Sequence, residues 1–147
     1  MQDNQVEILL IEDNPNDAEM TIRALKKSKV SNHIQHISNG ALALDYLFGT
    51  GEYATRDTNN KPRVILLDLK MPLVDGMEVL VKIKENDETK NIPIVILTSS
   101  NEHPDIEKCY KLGANSYIVK PVEFESFMHV VKELGLYWLI LNQAPPL

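Results

Sequence analysis

Uninterrupted aliphatic runs alternate along this chain with stretches whose apolar residues recur every three or four positions. Val64-Ile65-Leu66-Leu67 is the strongest run, and four aliphatics in a row fit a strand buried on both faces of a parallel sheet. Val6-Glu7-Ile8-Leu9-Leu10-Ile11 predicts the first strand, and positions 33–37 a weaker second one. Ile94-Val95-Ile96-Leu97 and Ser116-Tyr117-Ile118-Val119 predict the fourth and fifth. Helical periodicity fills the gaps. Asn14-Pro15 makes a good helix start, with Asn as N-cap and Pro at the first helical position. Ala18, Ile22 and Leu25 then form one stripe, and Lys26, Lys27 and Lys29 suit the negative end of the helix dipole. Asn39-Gly40 opens a helix with Leu44, Leu47 and Phe48 on one face; positions 76–86 carry Val79, Leu80 and Ile83, and Asn91-Ile92-Pro93 ends that pattern. His103-Pro104-Asp105 starts a helix with Ile106, Cys109 and Leu112 inward, and Gly113 sits where a C′ glycine belongs. A last helix is expected from near Glu123 to about Leu141, followed by a tail over 142–147. Strands alternating with helices of this length predict βαβ units and a parallel sheet.

Residues 49–63 stand apart. They show no periodicity, only Gly, Thr, Asp, Asn and Pro around Tyr53, and are expected to be an exposed insertion without regular structure. The 147 residues fit a single domain with a substantial core. A single cysteine, Cys109, excludes an internal disulfide and suits a reducing compartment. No apolar run approaches the ~20 residues of a membrane span, and the N-terminus has no signal-peptide pattern; a cytoplasmic location is expected. The net charge of −6 argues against nucleic-acid binding.

The chemistry lies at the ends of the predicted strands. Glu12-Asp13 follow the first, Asp68 the third, Thr98 the fourth and Lys120 the fifth. In an open parallel sheet these ends line the ligand crevice. Taken singly, each residue has a plain structural role: helix start, turn residue, surface charge. Together they put three carboxylates, a hydroxyl and an ammonium on one edge. Three carboxylates repel, which raises the pKa of at least one unless a cation intervenes. A few hard oxygen ligands suit Mg²⁺, and Lys120 adds a second positive charge for an anion bound there. Such a site handles a phosphoryl group by positioning and charge neutralisation, with Asp68 as nucleophile.

Glu12-Asp13, Asp68 in Leu-Leu-Asp-Leu-Lys-Met-Pro, Thr98-Ser99 and Tyr117-Ile118-Val119-Lys120-Pro121 resemble the receiver domain of two-component response regulators. The resemblance covers about residues 6–134. The long segment before the central strand and the Tyr137-Trp138 helix end are similar to stand-alone regulators paired with phytochrome histidine kinases, without an output domain. The resemblance implies a flavodoxin-like, doubly wound (βα)5 fold with five parallel strands in the order 2-1-3-4-5. It implies that Asp68 is phosphorylated by a sensor histidine kinase. Mg²⁺ would be held by Asp13, Asp68 and the Lys70 carbonyl, and by Glu12 through water. Thr98 and Tyr117 match the switch pair and Lys120 the phosphoryl-binding lysine, whose bond to Pro121 is usually cis in the family. Lys70 places a long basic side chain beside the site. The downstream partner is not legible.

Two other functions compete. A haloacid-dehalogenase-type phosphatase also forms an aspartyl phosphate at a strand end, but it has a second Asp where this chain has Lys70. A flavodoxin-like cofactor binder would need a Ser/Thr/Gly-rich phosphate loop after the first strand, where Glu12-Asp13 would repel phosphate. The final helix adds one expectation. Phe124, Phe127, Met128, Val131, Leu134 and Trp138 form a core-facing stripe, with polar residues opposite it up to Glu133. From Leu136 to Leu141 no polar face remains; this end either folds back under a loop such as 49–63 or, as expected here, packs in a symmetric homodimer with Tyr137, Trp138, Ile140 and Leu141 at its interface.

Overall fold

The computed structural model describes residues 7–27 and 33–120, together with 125, 126, 128, 129 and 133 of a closing helical segment. Five strands are present: β1 (Ile8–Ile11), β2 (Ile34–Ile37), β3 (Val64–Leu67), β4 (Ile94–Thr98) and β5 (Ser116–Val119). Between them run α1 (Pro15–Lys27), α2 (Gly40–Phe48), α3 (Gly76–Glu85) and α4 (His103–Lys111). All strand pairings are parallel, and the order is β2-β1-β3-β4-β5, the doubly wound arrangement expected.

Alternation along each strand divides the core in two. Leu9, Ile11, Ile65, Leu67, Ile94 and Ile96 pack with Ala43, Leu47, Val79, Leu80, Ile83 and Cys109, so α2, α3 and α4 cover one face. Ile8, Leu10, Val64, Leu66, Val95 and Leu97 pack with Ala18, Ala24 and Leu25 of α1 on the other. Met128 of the closing segment joins this second cluster, as its place in the predicted stripe requires. Every residue of β1, β3 and β4 is buried, which explains why these strands read as continuous aliphatic runs. The edge strands β2 and β5 are only partly buried, and their sequence signal is correspondingly weaker.

The helix starts follow local chemistry. Asn14 Oδ1 accepts bonds from the Asn16 and Asp17 amides, Asn39 caps α2 through the Leu42 amide, and Asp75 caps α3 through Glu78. Three inward stripes differ from expectation; in α4 only Cys109 is fully buried, with Ile106 and Leu112 partly buried. In α1 the fully buried positions are Ala18, Thr21, Ala24 and Leu25, with Ile22 only partly buried. In α2 they are Gly40, Ala43, Tyr46 and Leu47 rather than Leu44 and Phe48. In α1 the small Ala18, Thr21 and Ala24 are buried while the bulkier Ile22 lies at the margin of the core.

The segment 49–63 is more ordered than its sequence suggests. It contains a short 3-10 helix, Gly51–Tyr53. The Arg56 guanidinium lies 3.8 Å from the centre of the Tyr46 ring and donates to the Tyr46 carbonyl at 2.7 Å and to that of Asn60. Tyr53 meets Tyr46 edge-on at 5.2 Å. A cation–π contact and an aromatic pair replace the missing periodicity.

Candidate functional site

The strand ladders deliver the site residues. One bond beyond β1, the Glu12 amide donates to the Ile37 carbonyl; beyond β3, Asp68 donates to Ile11; beyond β5, Lys120 donates to Thr98. Each chemical side chain therefore sits where its strand has just ended and the backbone is still held. β1 and β3 are neighbours whose crossovers leave in opposite directions, the switch point at which such sheets open a crevice. Glu12, Asp13 and Asp68 meet there, with one carboxylate oxygen from each lying within 4.8 Å of the others. Glu12 and Asp68 are buried and Asp13 half-buried. Thr98, fully buried, ends the strand beside Asp68.

The loop after β3 is pinned against α3. A Cβ on Gly76 would lie 2.2 Å from the Asp68 carbonyl oxygen and 2.6 Å from Leu69 Cα, so only glycine lets the helix start this close to the Asp68–Leu69 backbone. The Gly76 amide donates to the Leu69 carbonyl at 2.9 Å. Leu73, in the same loop, has φ of 67° and is 93% exposed.

Lys120 reaches across the pocket to α1. Its ammonium is 2.7 Å from Glu12 Oε1 and 2.7 Å from Asp17 Oδ2. Burial pulls the Lys120 pKa down, but the bonds to Asp17 and Glu12 outweigh it and leave the group raised. Glu12 is raised to about 7. Burial is the largest cause, opposed by the Lys120 bond and assisted by the Asp68 charge. The expected upward shift of one carboxyl is present, but burial outranks repulsion as its source. Glu12 Oε2 also accepts the Asn14 amide at 3.2 Å, and His36 Nε2 bonds the Glu12 carbonyl at 2.8 Å.

Lys70 directs its side chain away from this cluster, with Nζ 3.4 Å from Asp105 Oδ2 on α4. Ser100 Oγ donates to the same Asp105 oxygen at 2.6 Å. The Ser100 bond, against a smaller effect of burial and with help from Lys70, holds the Asp105 pKa below its ordinary value. Tyr117 packs its ring against the α2–α4 side of the core. Asp17, Ser100 and Asp105 were not singled out from the sequence. Asp17 could have been found as the acidic residue of the first helical turn after Glu12-Asp13; Ser100 and Asp105 carry no signal above ordinary helix-start chemistry. Pro121 and the expected interface residues Tyr137, Trp138, Ile140 and Leu141 lie outside the described residues.

Three hard carboxylates, two of them buried, fit a small divalent cation in chemistry and number. Fold and strand-end set are those of the receiver class that the sequence resembles. The chain belongs to the response regulator receiver domain family, whose model matches residues 8–132. It is 38% identical over 138 residues to the probable methanogenesis regulatory protein FilR2 of Methanothrix harundinacea, covering 94% of this chain and 86% of that one. The phosphorylated cyanobacterial phytochrome response regulator RcpA aligns with a TM-score of 0.88 at 36% identity, covering 97% of this chain and 99% of that one. The Mn²⁺-bound form of response regulator Rcp1 aligns at 0.86 with 33% identity, covering 96% and 99%; Rcp1 is from Synechocystis. Among the described residues no helix is long and apolar enough to cross a membrane.

Proposed function

We propose that this receiver is switched by phosphorylation of Asp68, taken from the phosphohistidine of a sensor histidine kinase. The observation that carries the reading is the meeting of Glu12, Asp13 and Asp68 at the switch point of the sheet, with Thr98 on the adjacent strand. A carboxylate oxygen of Asp68 attacks phosphorus, the phosphorus–nitrogen bond of the donor breaks, and the imidazole leaves with the electron pair. Asp13, Asp68 and the Lys70 carbonyl would hold Mg²⁺, with Glu12 acting through water; the ion supplies charge neutralisation for the transferring group. Lys120 and Thr98 then bind the phosphoryl oxygens, and Tyr117 responds to the movement of Thr98. Similarity to RcpA supports a kinase of the phytochrome class. The role is that of a signalling switch, with turnover confined to its own phosphorylation and dephosphorylation.

Self-association through Tyr137, Trp138, Ile140 and Leu141 belongs to the same reading and is supported by the unbroken apolar sequence there. Incubation with Mg²⁺ and acetyl phosphate, followed by intact mass measurement, tests the central claim. One phosphoryl increment is expected, and none in Asp68→Asn. Phosphate on a serine or on His129 would overturn the assignment. Sedimentation with and without phosphodonor tests the dimer, and a monomer in both states would remove it.

A further inference from the structure

We infer that Asp17 is a positioning residue that holds the Lys120 ammonium on the α1 side of the pocket and competes for it with a phosphoryl group on Asp68. The inference rests on the proposed phosphorylation of Asp68. The geometry is specific. Lys120 is 8% exposed, and its ammonium lies 2.7 Å from both Glu12 Oε1 and Asp17 Oδ2. An ammonium has three protons, and among the described residues these two carboxylates are its side-chain acceptors.

The two carboxylates differ in kind. Glu12 belongs to the three-carboxylate cluster, so a cation there draws on its charge. Asp17 lies outside the cluster, and its hold on Lys120 is independent of that cation. Asp17 is also rigidly placed. Its amide donates to Asn14 Oδ1 at 3.0 Å, and its carbonyl accepts the hydroxyl of the buried Thr21 at 2.9 Å. Its position in the first turn of α1 is favourable for a negative charge. The side chain is 32% exposed, so solvent weakens the pair without removing it.

A phosphoryl group on Asp68 adds about −1.5 to −2 charge and new acceptor oxygens. Lys120 must turn toward it, and Asp17 is the partner it leaves or shares. Neutralising Asp17 removes a competitor and lets the aspartyl phosphate keep the ammonium. A residue that only propped up α1 would change stability and leave the lifetime of the phosphorylated state alone.

The experiment loads wild type, Asp17→Asn and Asp17→Glu with acetyl phosphate and Mg²⁺, removes the donor, and follows loss of the phosphoryl increment by intact mass. Asp17→Asn should hold its phosphoryl group about three- to tenfold longer, and Asp17→Glu should return toward the wild-type rate. Thermal melting of each protein is recorded alongside. Should Asp17→Asn fold poorly, ¹⁵N-detected NMR of the Lys120 ammonium in wild type substitutes. That signal should couple to Asp17 before phosphorylation and shift after it. Wild type that takes no phosphoryl group defeats the proposed function and this inference together. Wild type that is labelled, with Asp17→Asn losing phosphate as fast or faster or with an unshifted Lys120 signal, defeats the inference alone.

Discussion

The Tyr117 hydroxyl donates a hydrogen bond to the Ser100 carbonyl oxygen at 2.9 Å, tying β5 to the segment that follows β4. Ser100 passes the connection on through its hydroxyl to Asp105, and Asp105 to Lys70 beside the proposed phosphoacceptor. A continuous polar chain thus runs from the loop after β3 to the edge strand. It touches the buried Thr98, whose hydroxyl accepts the Ser100 amide at 3.4 Å, and gives Tyr117 a defined partner.

Removing that hydroxyl should cost stability in a pH-dependent way. Tyr117→Phe loses one hydrogen bond, about 1 kcal/mol near neutral pH. Burial raises the Tyr117 pKa above its ordinary value, only partly offset by the Ser100 contact. A folded-state pKa above the unfolded one contributes stability below the unfolded value, and this is lost as pH rises through the folded value. The wild-type advantage should therefore be full near pH 8 and shrink above about pH 10. Urea titrations of both proteins at the two pH values check it, and a gap that widens at high pH would contradict it.

Thr98 should transmit the signal without being needed to receive it. It is fully buried at the end of β4, so its hydroxyl can reach a phosphoryl group on Asp68 only by moving within the core. Driving a two-state equilibrium from 1:99 to 99:1 takes about 5.5 kcal/mol of differential binding. Lys120, Thr98 and a cation together can supply this through charge-assisted bonds. Thr98→Ala should accept phosphate on Asp68 and lose the NMR response at Tyr117. A full response in that variant would detach Thr98 from the switch.

Gly76→Ala should damage the site from a distance. The added methyl meets the Asp68 carbonyl at 2.2 Å, and relief requires α3 or the loop after β3 to shift. Overpacking of this kind costs about 1–3 kcal/mol. Slower labelling by acetyl phosphate should accompany the lost stability. A variant labelled at the wild-type rate would show that the loop has room to move.

Much of this was legible because the burial is simple. β1, β3 and β4 are buried on both sides, so their sequences could hardly read otherwise, and the acidic or hydroxyl residue that ends each run is conspicuous. The partners of the charges were not legible. Lys120 could be placed at the edge of the sheet, but its choice of Asp17 depends on how α1 leans over the crevice. Lys70 likewise gives no sign in sequence that its ammonium turns to Asp105 on α4. The insertion shows no pattern in sequence because its order comes from Arg56 stacking on Tyr46, a contact ten residues apart with no period.

Leu73 carries strain that a substitution should release. Its φ of 67° lies in the left-handed region, which costs an ordinary L-residue roughly 1–2 kcal/mol. At 93% exposure it has little packing to lose. Asparagine tolerates this conformation, so Leu73→Asn should raise stability by about 1 kcal/mol. Urea denaturation measures it, and a less stable variant would mean that Leu73 makes compensating contacts in solution.

Divalent cation should stabilise the protein and be required for its modification. Glu12 is raised to about 7, first by burial and then by the Asp68 charge, against the Lys120 pair and the Asn14 amide bond, so the cluster holds unfavourable charge that these contacts relieve only in part. A ligand that binds the folded chain stabilises it by mass action, about 2.7 kcal/mol at a hundred times its dissociation constant. Titrating Mg²⁺ should raise the melting temperature progressively, and EDTA should return it to the starting value. Asp13→Asn removes one of the three cluster carboxylates without touching the Lys120 pair, so it should flatten the Mg²⁺ dependence. Its labelling by acetyl phosphate should fall on the order of tenfold or more, the factor that about 1.4 kcal/mol of lost transition-state stabilisation would give. Labelling that survives EDTA in the wild type, or a melting temperature indifferent to Mg²⁺, would mean that the three carboxylates meet for another purpose.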